Sequence, residues 1–365
     1  MKNKQDKDME LQIARSVIGT ISNEKLIAAK NFFESLSDHK RITKLFNTYI
    51  VGVEQSLVNT GNGKIYCVYN IDGAVTGRLS NSGATRKKGK GEDVKIGVSF
   101  HTLPREQIDF NIRNYVVAPD GWDFITADEK AMELRVLADV ANEGNMIKAF
   151  NEGIDLHTYS ASMTFNKDPN DVTKEERQIA KEVSFLTVYG GKAFTLANKR
   201  NIPEAQAEKI INSWMDAFPR VRIYMDTIRD YITQFKYAKT LFGRYRHLPN
   251  IDSPNRRIRE EAFRQGLNFT IQSPASDILL CCLIGVHDKM AAQGLRAKII
   301  ATVHDSICVI SPKNETQRVI SILRDEMRNY NYMRNNFNIK LKVPLDIDIK
   351  VGTSFGNGEE LKFTS

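Results

Sequence analysis

Between residues 155 and 235 the chain is helical in pattern almost throughout, and apolar runs of strand character stand on either side of that block. Within it, Thr173 and Glu176 form a capping-box signature ahead of RQIAKEVSFLTVYGG, and the Gly190-Gly191 pair ends that helix. Upstream, Trp122 to Ala127 (WDFITA) reads as a strand running into Asp128. From Ala131 onward apolar residues recur at three and four, so a strand delivers Asp128 to the start of a helix. Downstream, EAFRQGLNFTIQSPASDILLCCLIGVHDKM is a long helical stretch that Pro274 is expected to bend. KIIATV and ICVI follow, separated by His304, Asp305 and Ser306, the pattern of a β-hairpin with a polar tip. A helix over 315–330 and a strand in LKVPLDIDIKV close the series.

Nearer the N-terminus, apolar residues at helical spacing from Asp8 to about Ser35, interrupted at Gly19-Thr20 and capped by Ser22, predict a helical hairpin. Residues 64–71 (KIYCVYNI) predict a strand, and TLFGRYRHLP from Thr240 a short hairpin. Ser80 to Gly97, SNSGATRKKGKGEDVKIG, has no apolar period over most of its length and reads as a mobile surface loop or a phosphate-contacting one.

The 365 residues are 41% hydrophobic and 26% charged, which sets aside collagen-like, mucin-like, wholly disordered and membrane-spanning classes. A chain this long buries a core without disulfides or structural metals and is expected to form two or three subdomains. Its net charge of +8 points first to a polyanionic partner, nucleic acid. Cys67, Cys281, Cys282 and Cys308 form no Cys-x-x-Cys pair and read as buried thiols in a reducing compartment. MKNKQDKDMELQIARSV has no apolar run before a small-residue cleavage site, so neither a signal peptide nor a membrane helix is expected, and a cytoplasmic location is.

Two aspartates, Asp128 and Asp305, each stand where an apolar strand stops. Carboxylates on neighbouring strand ends suit a pair of hard divalent cations that share a phosphate substrate. Taken singly, Asp128 reads equally as a helix cap and Asp305 as a turn residue. Arg177, Lys181, Phe185 and Tyr189 recur every four residues, on one helix face. Such a face holds a triphosphate at its cationic end and stacks a base or sugar at its aromatic end, or it is an amphipathic helix with its rings in the core.

Read together, TGRLS (Thr76–Ser80), DEKAMELR (Asp128–Arg135), RQIAKEVSFLTVYG (Arg177–Gly190), RQGLNFTIQ (Arg264–Gln272) and VHDS (Val303–Ser306) resemble, in order and spacing, the polymerase domain of family A DNA polymerases, from about Arg41 to Gly352. The resemblance implies an α+β right-hand fold with an antiparallel palm sheet, helical fingers and a truncated helical thumb. The corresponding division is 1–62 partial thumb, 63–139 first palm part, 140–250 fingers and 251–365 second palm part. It implies template-directed addition of dNTPs to a primer 3′-hydroxyl with two Mg²⁺ ions, for which Mn²⁺ can substitute. Asp128 and Asp305, helped by the carbonyl of Glu129, would hold the metals, and Lys181 would protonate the leaving pyrophosphate. Arg177, Lys181 and His157 would bind the triphosphate, Phe185 the sugar, Tyr189 the base-pair pocket, and Glu133 would exclude a 2′-hydroxyl. Arg78, Arg264, Asn268, Gln272 and His304 match positions that touch the primer terminus and the minor groove.

Several residues depart from the family pattern. Ser306 stands where members carry Glu, Glu129-Lys130 replaces an aromatic-Ser pair, and the basic stretch 83–97 lengthens a connection. Only 75 residues precede TGRLS, too few for a full thumb with a 3′-5′ exonuclease domain. Proofreading is therefore not expected in this chain, and a separate polypeptide supplying the remainder is a candidate partner, beside primer-template DNA and dNTPs. Two other readings stand beside a DNA polymerase. One is a single-subunit RNA polymerase, against which Glu133 and Phe185 argue; the other is a non-catalytic DNA-binding subunit of a replication assembly.

Overall fold

The computed structural model describes residues 23–88, 92–104 and 111–362, which fall into two compact units. In the first, α1 (Asn23–Lys44) runs through a π-helical turn (Leu45–Val51) into α2 (Gly52–Thr60), which stops at Gly61 in the left-handed region. The first arm of the expected helical hairpin lies outside the described residues. Strands β1 (Cys67–Asn70) and β2 (Ser80–Gly83) follow at the boundary of the two units, then β3 (Thr85–Lys88) and β4 (Glu92–Lys95).

The stretch expected to be a mobile loop therefore contains an antiparallel ribbon. Its register sets Lys87 opposite Asp93, a favourable charge pair across strands. Asn59 on α2 donates to the Lys95 carbonyl at 2.8 Å, and Arg86 donates to the Asn59 carbonyl at 2.7 Å. Local apolar periodicity missed the ribbon because side chain-to-backbone bonds, not an apolar stripe, fasten it to the helix.

The second unit is built on β5 (Trp122–Glu129). A positive φ of 51° at Ala131 turns the chain from this strand into α3 (Met132–Val140). The single helix expected from Ala131 is broken before α4 (Gly144–Asn151), where the buried Glu143 carboxylate accepts from the Asn145 N–H at 3.0 Å and the Arg220 N–H at 2.8 Å. The helical block continues as α5 (Leu156–Phe165), α6 (Lys174–Val188), α7 (Ala193–Arg200), α8 (Glu204–Ala217) and α9 (Pro219–Phe235). The capping box of Thr173 and Glu176 opens α6 with both of its bonds formed. β6 (Tyr237–Lys239) and β7 (Tyr245–His247) make the short hairpin.

Next, α10 (Arg256–Ala292) runs unbroken through Pro274, since packing on both sides of the proline outweighs the missing N–H. It is long and apolar enough to cross a membrane, yet 78% of its most apolar window is buried inside the protein, so it is the central core helix. β8 (Lys298–Val303), β9 (Ser306–Pro312), α11 (Thr316–Asn329), α12 (Asn331–Phe337), β10 (Ile347–Gly352) and β11 (Glu359–Glu360) complete the unit.

Five strands form one antiparallel sheet in the order β11-β10-β5-β9-β8. The register aligns Ala127 with Ile307 and Ile349, and all three enter the main core with Val319, Leu323 and Met327 of α11 and Cys282 of α10. Burial of the thiols pushes Cys281 up to about 11 and Cys308 up to about 12, whereas Cys67 is only half-buried, short of the expected burial.

Candidate functional site

Side chains alternate along β5, so Ile125, Ala127 and Glu129 face the core while Phe124, Thr126 and Asp128 face the other side. Asp128 is exposed and lies opposite Ser306 of β9, one residue past Asp305 at the hairpin tip. The Glu129 N–H donates to the Asp305 carbonyl at 3.1 Å. The two aspartates that sequence singled out are thus on adjacent strand ends. Asp128 caps no helix, because the N-cap of α3 is Ala131, with no side-chain bond.

Glu129 has its carboxyl buried on the core side, with neither oxygen hydrogen-bonded among the described residues. Burial, and then the charges of Asp305 and Asp128, push it well above the usual carboxylate range. Its side chain cannot serve the Asp128 face, so the expected contribution of Glu129 is left to its backbone carbonyl. Lys130 reaches back across the sheet to Asp348 at 2.6 Å and Asp346 at 3.4 Å.

Arg78 joins three elements. Its guanidinium donates to Glu133 at 2.6 Å and lies 3.5 Å from the Asp305 carboxylate. The Tyr189 hydroxyl donates to the other Glu133 oxygen, which ties the C-cap of α6 to the first turn of α3. Burial first, and the Glu133 carboxylate second, push the Tyr189 phenol up, against a hydrogen bond with Gln272.

The helix face predicted from four-residue spacing exists, and its rings are not in the core. Ala180, Val183, Ser184, Thr187 and Val188 of α6 are buried, while Phe185 and Tyr189 are half-exposed and stack at 6.4 Å between centroids, 16° from parallel. With Lys181 they line an open cavity of about 360 Å³. Arg177 bonds Asp155 through two nitrogens, at 2.7 and 3.0 Å, and Asp155 also caps α5 by accepting from the Thr158 N–H. Burial opposes ionisation of Asp155, but Arg177 and Thr158 hold it down to about 2. His157 is buried beside Phe185, and burial, reinforced by Lys181 and Arg177, lowers it to about 4. It is a neutral imidazole at neutral pH.

On α10, Arg264, Asn268 and Gln272 form the partly exposed stripe of a stretch whose other positions are mostly buried. The backbone of Gly190, with φ of 65°, abuts Arg264, so the end of α6 touches this stripe. His304 sits at the hairpin tip with φ of 57°, its ring stacked on that of His101 at 5.7 Å.

No group of three or more His, Cys, Asp or Glu side chains gathers as a metal cage among the described residues. Two exposed or half-exposed carboxylates and one backbone carbonyl fit hard cations that take their remaining oxygens from a phosphate substrate. The donor chemistry therefore fits the divalent ions that the resemblance implies.

Sequence reasoning missed Asp155 as the partner of Arg177 and Asp348 as the partner of Lys130, although Asp155 was legible as an N-cap. The description "DNA polymerase family A" matches residues 2–357. The DNA polymerase I of Chloroflexus aurantiacus is 34% identical over 87% of this chain and 31% of its own length. That of Caldicellulosiruptor bescii is 30% identical over 91% of this chain and 36% of its own. The chain thus spans about a third of the length of these curated relatives. A solved structure described as the POL domain of Pol1 from M. smegmatis in complex with DNA primer-template and dNTP superposes with a TM-score of 0.77 at 30% identity, covering 89% of this chain and 53% of that one.

Proposed function

Because the chain belongs to DNA polymerase family A, we propose that it adds dNTPs to a primer 3′-hydroxyl under the direction of a template, releasing pyrophosphate. The observation that carries this reading is the pairing of β5 with β9, which brings Asp128 beside Asp305 on the open side of the sheet. In this reading the five-stranded sheet is the palm, residues 140–250 are the fingers, 1–62 contribute to the thumb, and 63–139 and 251–365 are the two palm parts.

Asp128, Asp305 and the Glu129 carbonyl would hold two Mg²⁺ ions, for which Mn²⁺ could substitute, and ions held there would supply a lowered pKa of the primer hydroxyl and charge stabilisation of the leaving oxygen. Arg177 and Lys181 hold the β- and γ-phosphates, and Lys181 gives a proton to the pyrophosphate. Asp155 keeps the Arg177 guanidinium aimed, and neutral His157 offers a ring N–H to the triphosphate without repelling its neighbouring cations. Phe185 packs on the sugar, Glu133 fills the space a 2′-hydroxyl would need, and Tyr189 closes the base-pair pocket. Arg78, Arg264, Asn268, Gln272 and His304 contact the primer terminus and the minor groove, whose acceptors differ little with sequence. Most of the rate enhancement is positioning and charge stabilisation.

Extension of a labelled primer-template by the purified chain, with dNTPs against rNTPs and wild type against Asp305→Ala, tests the proposal. Extension with dNTPs that the mutant loses is expected. Preference for rNTPs would replace the reading with an RNA polymerase. Folded protein that binds duplex but extends nothing would overturn self-sufficient activity, and would point to a further polypeptide or a non-catalytic subunit.

A further inference from the structure

The β8 strand lies at the edge of the sheet, and β9 pairs with only one of its sides. An edge strand leaves alternate backbone groups without partners, and at buried Thr302 both of them would be costly to leave unmade. A tyrosine stands in for the missing strand. The Tyr69 hydroxyl donates to the Thr302 carbonyl at 2.8 Å and accepts from the Thr302 N–H at 3.0 Å. His101 adds a second donor, its Nε2 lying 3.0 Å from the same carbonyl. Because a carbonyl only accepts, Nε2 carries the proton in this bond, and burial lowers the His101 pKa.

The rings continue the chain of contacts. Tyr69 meets His101 edge-on at 5.7 Å, and His101 lies over His304 at 5.7 Å and 25°. Two residues beyond Thr302, His304 occupies the left-handed region at φ 57°, a conformation that persists only where surrounding contacts determine it. On the far side of the tip, the Glu129 N–H fixes the Asp305 carbonyl at 3.1 Å. Besides the Arg78 guanidinium at the Asp305 carboxylate, two backbone-level supports meet at the tip. One is the end of the strand that bears Asp128; the other is a tyrosine and a histidine that belong to no strand of this sheet.

We infer that Tyr69 and His101 are positioning residues of the proposed site: by completing the free edge of β8 at Thr302 and stacking on His304, they hold the hairpin tip so that Asp305 stands beside Asp128. The inference rests on the polymerase reading for its consequence in catalysis, but not for its consequence in structure. A carboxylate that must share ions with a partner needs placement to within about half an ångström, and an unsupported edge strand does not provide it.

Tyr69→Phe keeps the ring and removes only the hydroxyl; His101→Phe keeps the stacking ring and removes the donor; His101→Gln restores a donor without the ring. Tyr69→Phe removes both bonds and leaves the Thr302 N–H unpaired, and is expected to lower kcat about tenfold. KM for dNTP should stay within about twofold, because the residues proposed to bind the triphosphate are untouched, and Kd for primer-template should rise less than kcat falls, because His304 alone of the proposed duplex contacts lies on the tip. His101→Phe should lower kcat likewise, and His101→Gln should recover part of it. Hydrogen exchange at residues 302–306 should quicken in Tyr69→Phe by more than elsewhere in the sheet, with the melting temperature lowered by about a few degrees at most. Wild-type kcat together with unchanged exchange would overturn the inference, as would a loss that falls on duplex affinity and melting temperature alone. If the wild-type chain extends nothing, the polymerase reading has failed, and exchange at 302–306 still decides whether Tyr69 and His101 hold the tip.

Discussion

A buried neutral histidine leaves a signature in the pH dependence of stability. His157 is lowered to about 4 from an ordinary 6.5, so as pH falls through that interval the unfolded chain binds the proton first. Stability is full above pH 6.5, declines toward pH 4 and levels below it, by roughly 3 kcal/mol at most. Urea unfolding at pH 7 and pH 4.5 checks this, and His157→Asn should flatten much of the difference. Asp155 acts in a separate window: held down to about 2, it contributes stability that is lost only as pH drops from its ordinary 3.8 toward 2. At the same scale, Glu133→Gln is expected to weaken the bonds from Arg78 and Tyr189 and to lower dNTP preference over rNTP about tenfold, read as a ratio of kcat/KM values. Single residues were legible where their chemistry is local: two strand-end aspartates, and four residues on one helix turn register. Asp155 as the anchor of Arg177, and Arg78 as the bridge between Glu133 and Asp305, were not, because each pairing closes across distant segments and leaves no mark on spacing.

Elements respond to their ends. Thr173 accepts from the Glu176 N–H at 3.2 Å, and Thr173→Ala should cost about 1 kcal/mol in urea unfolding, the usual loss of a helix cap. Gly190→Ala is expected to cost more than its size suggests, since φ is 65° and the new methyl would lie 2.7 Å from Cγ of Arg264. The variant should weaken primer-template binding by displacing Arg264, measured by fluorescence anisotropy. The cap of α6, its glycine stop, the β8-β9 hairpin and the long α10 were all readable from periodicity and capping rules. The break between α3 and α4 was not. It depends on Glu143 satisfying the first turns of two helices at once, and Arg220 of the second lies far along the chain. The β3-β4 ribbon escaped for a related reason, its charged residues being arranged for pairing across strands and not for an apolar face.

At the scale of the whole molecule, a net charge of +8 and a stripe of Arg264, Asn268 and Gln272 on the central helix predict affinity for duplex that falls steeply with salt. Titrations from 50 to 200 mM salt should give a straight line of log Kd against log salt. Asn268→Ala should shift that line without changing its slope, and by similar amounts on templates of different sequence. The family was legible in five ordered motifs, and with it the α+β architecture; the strand order was not, because β5 is flanked by strands from the far end of the chain. That sheet carries a further consequence. Asp128 and Glu129 are neighbours with opposite fates, one carboxylate in water and one carboxyl sealed in the core, and only the frame in which β5 pairs with β9 and β10 distinguishes them. A deletion of one residue between Trp122 and Ala127 that slipped the pairing would exchange them, turning the solvent-facing carboxylate inward and the buried one outward. The strand thus behaves as a reading frame for chemistry, in which a shift by a single position rewrites every side chain while leaving the composition almost untouched.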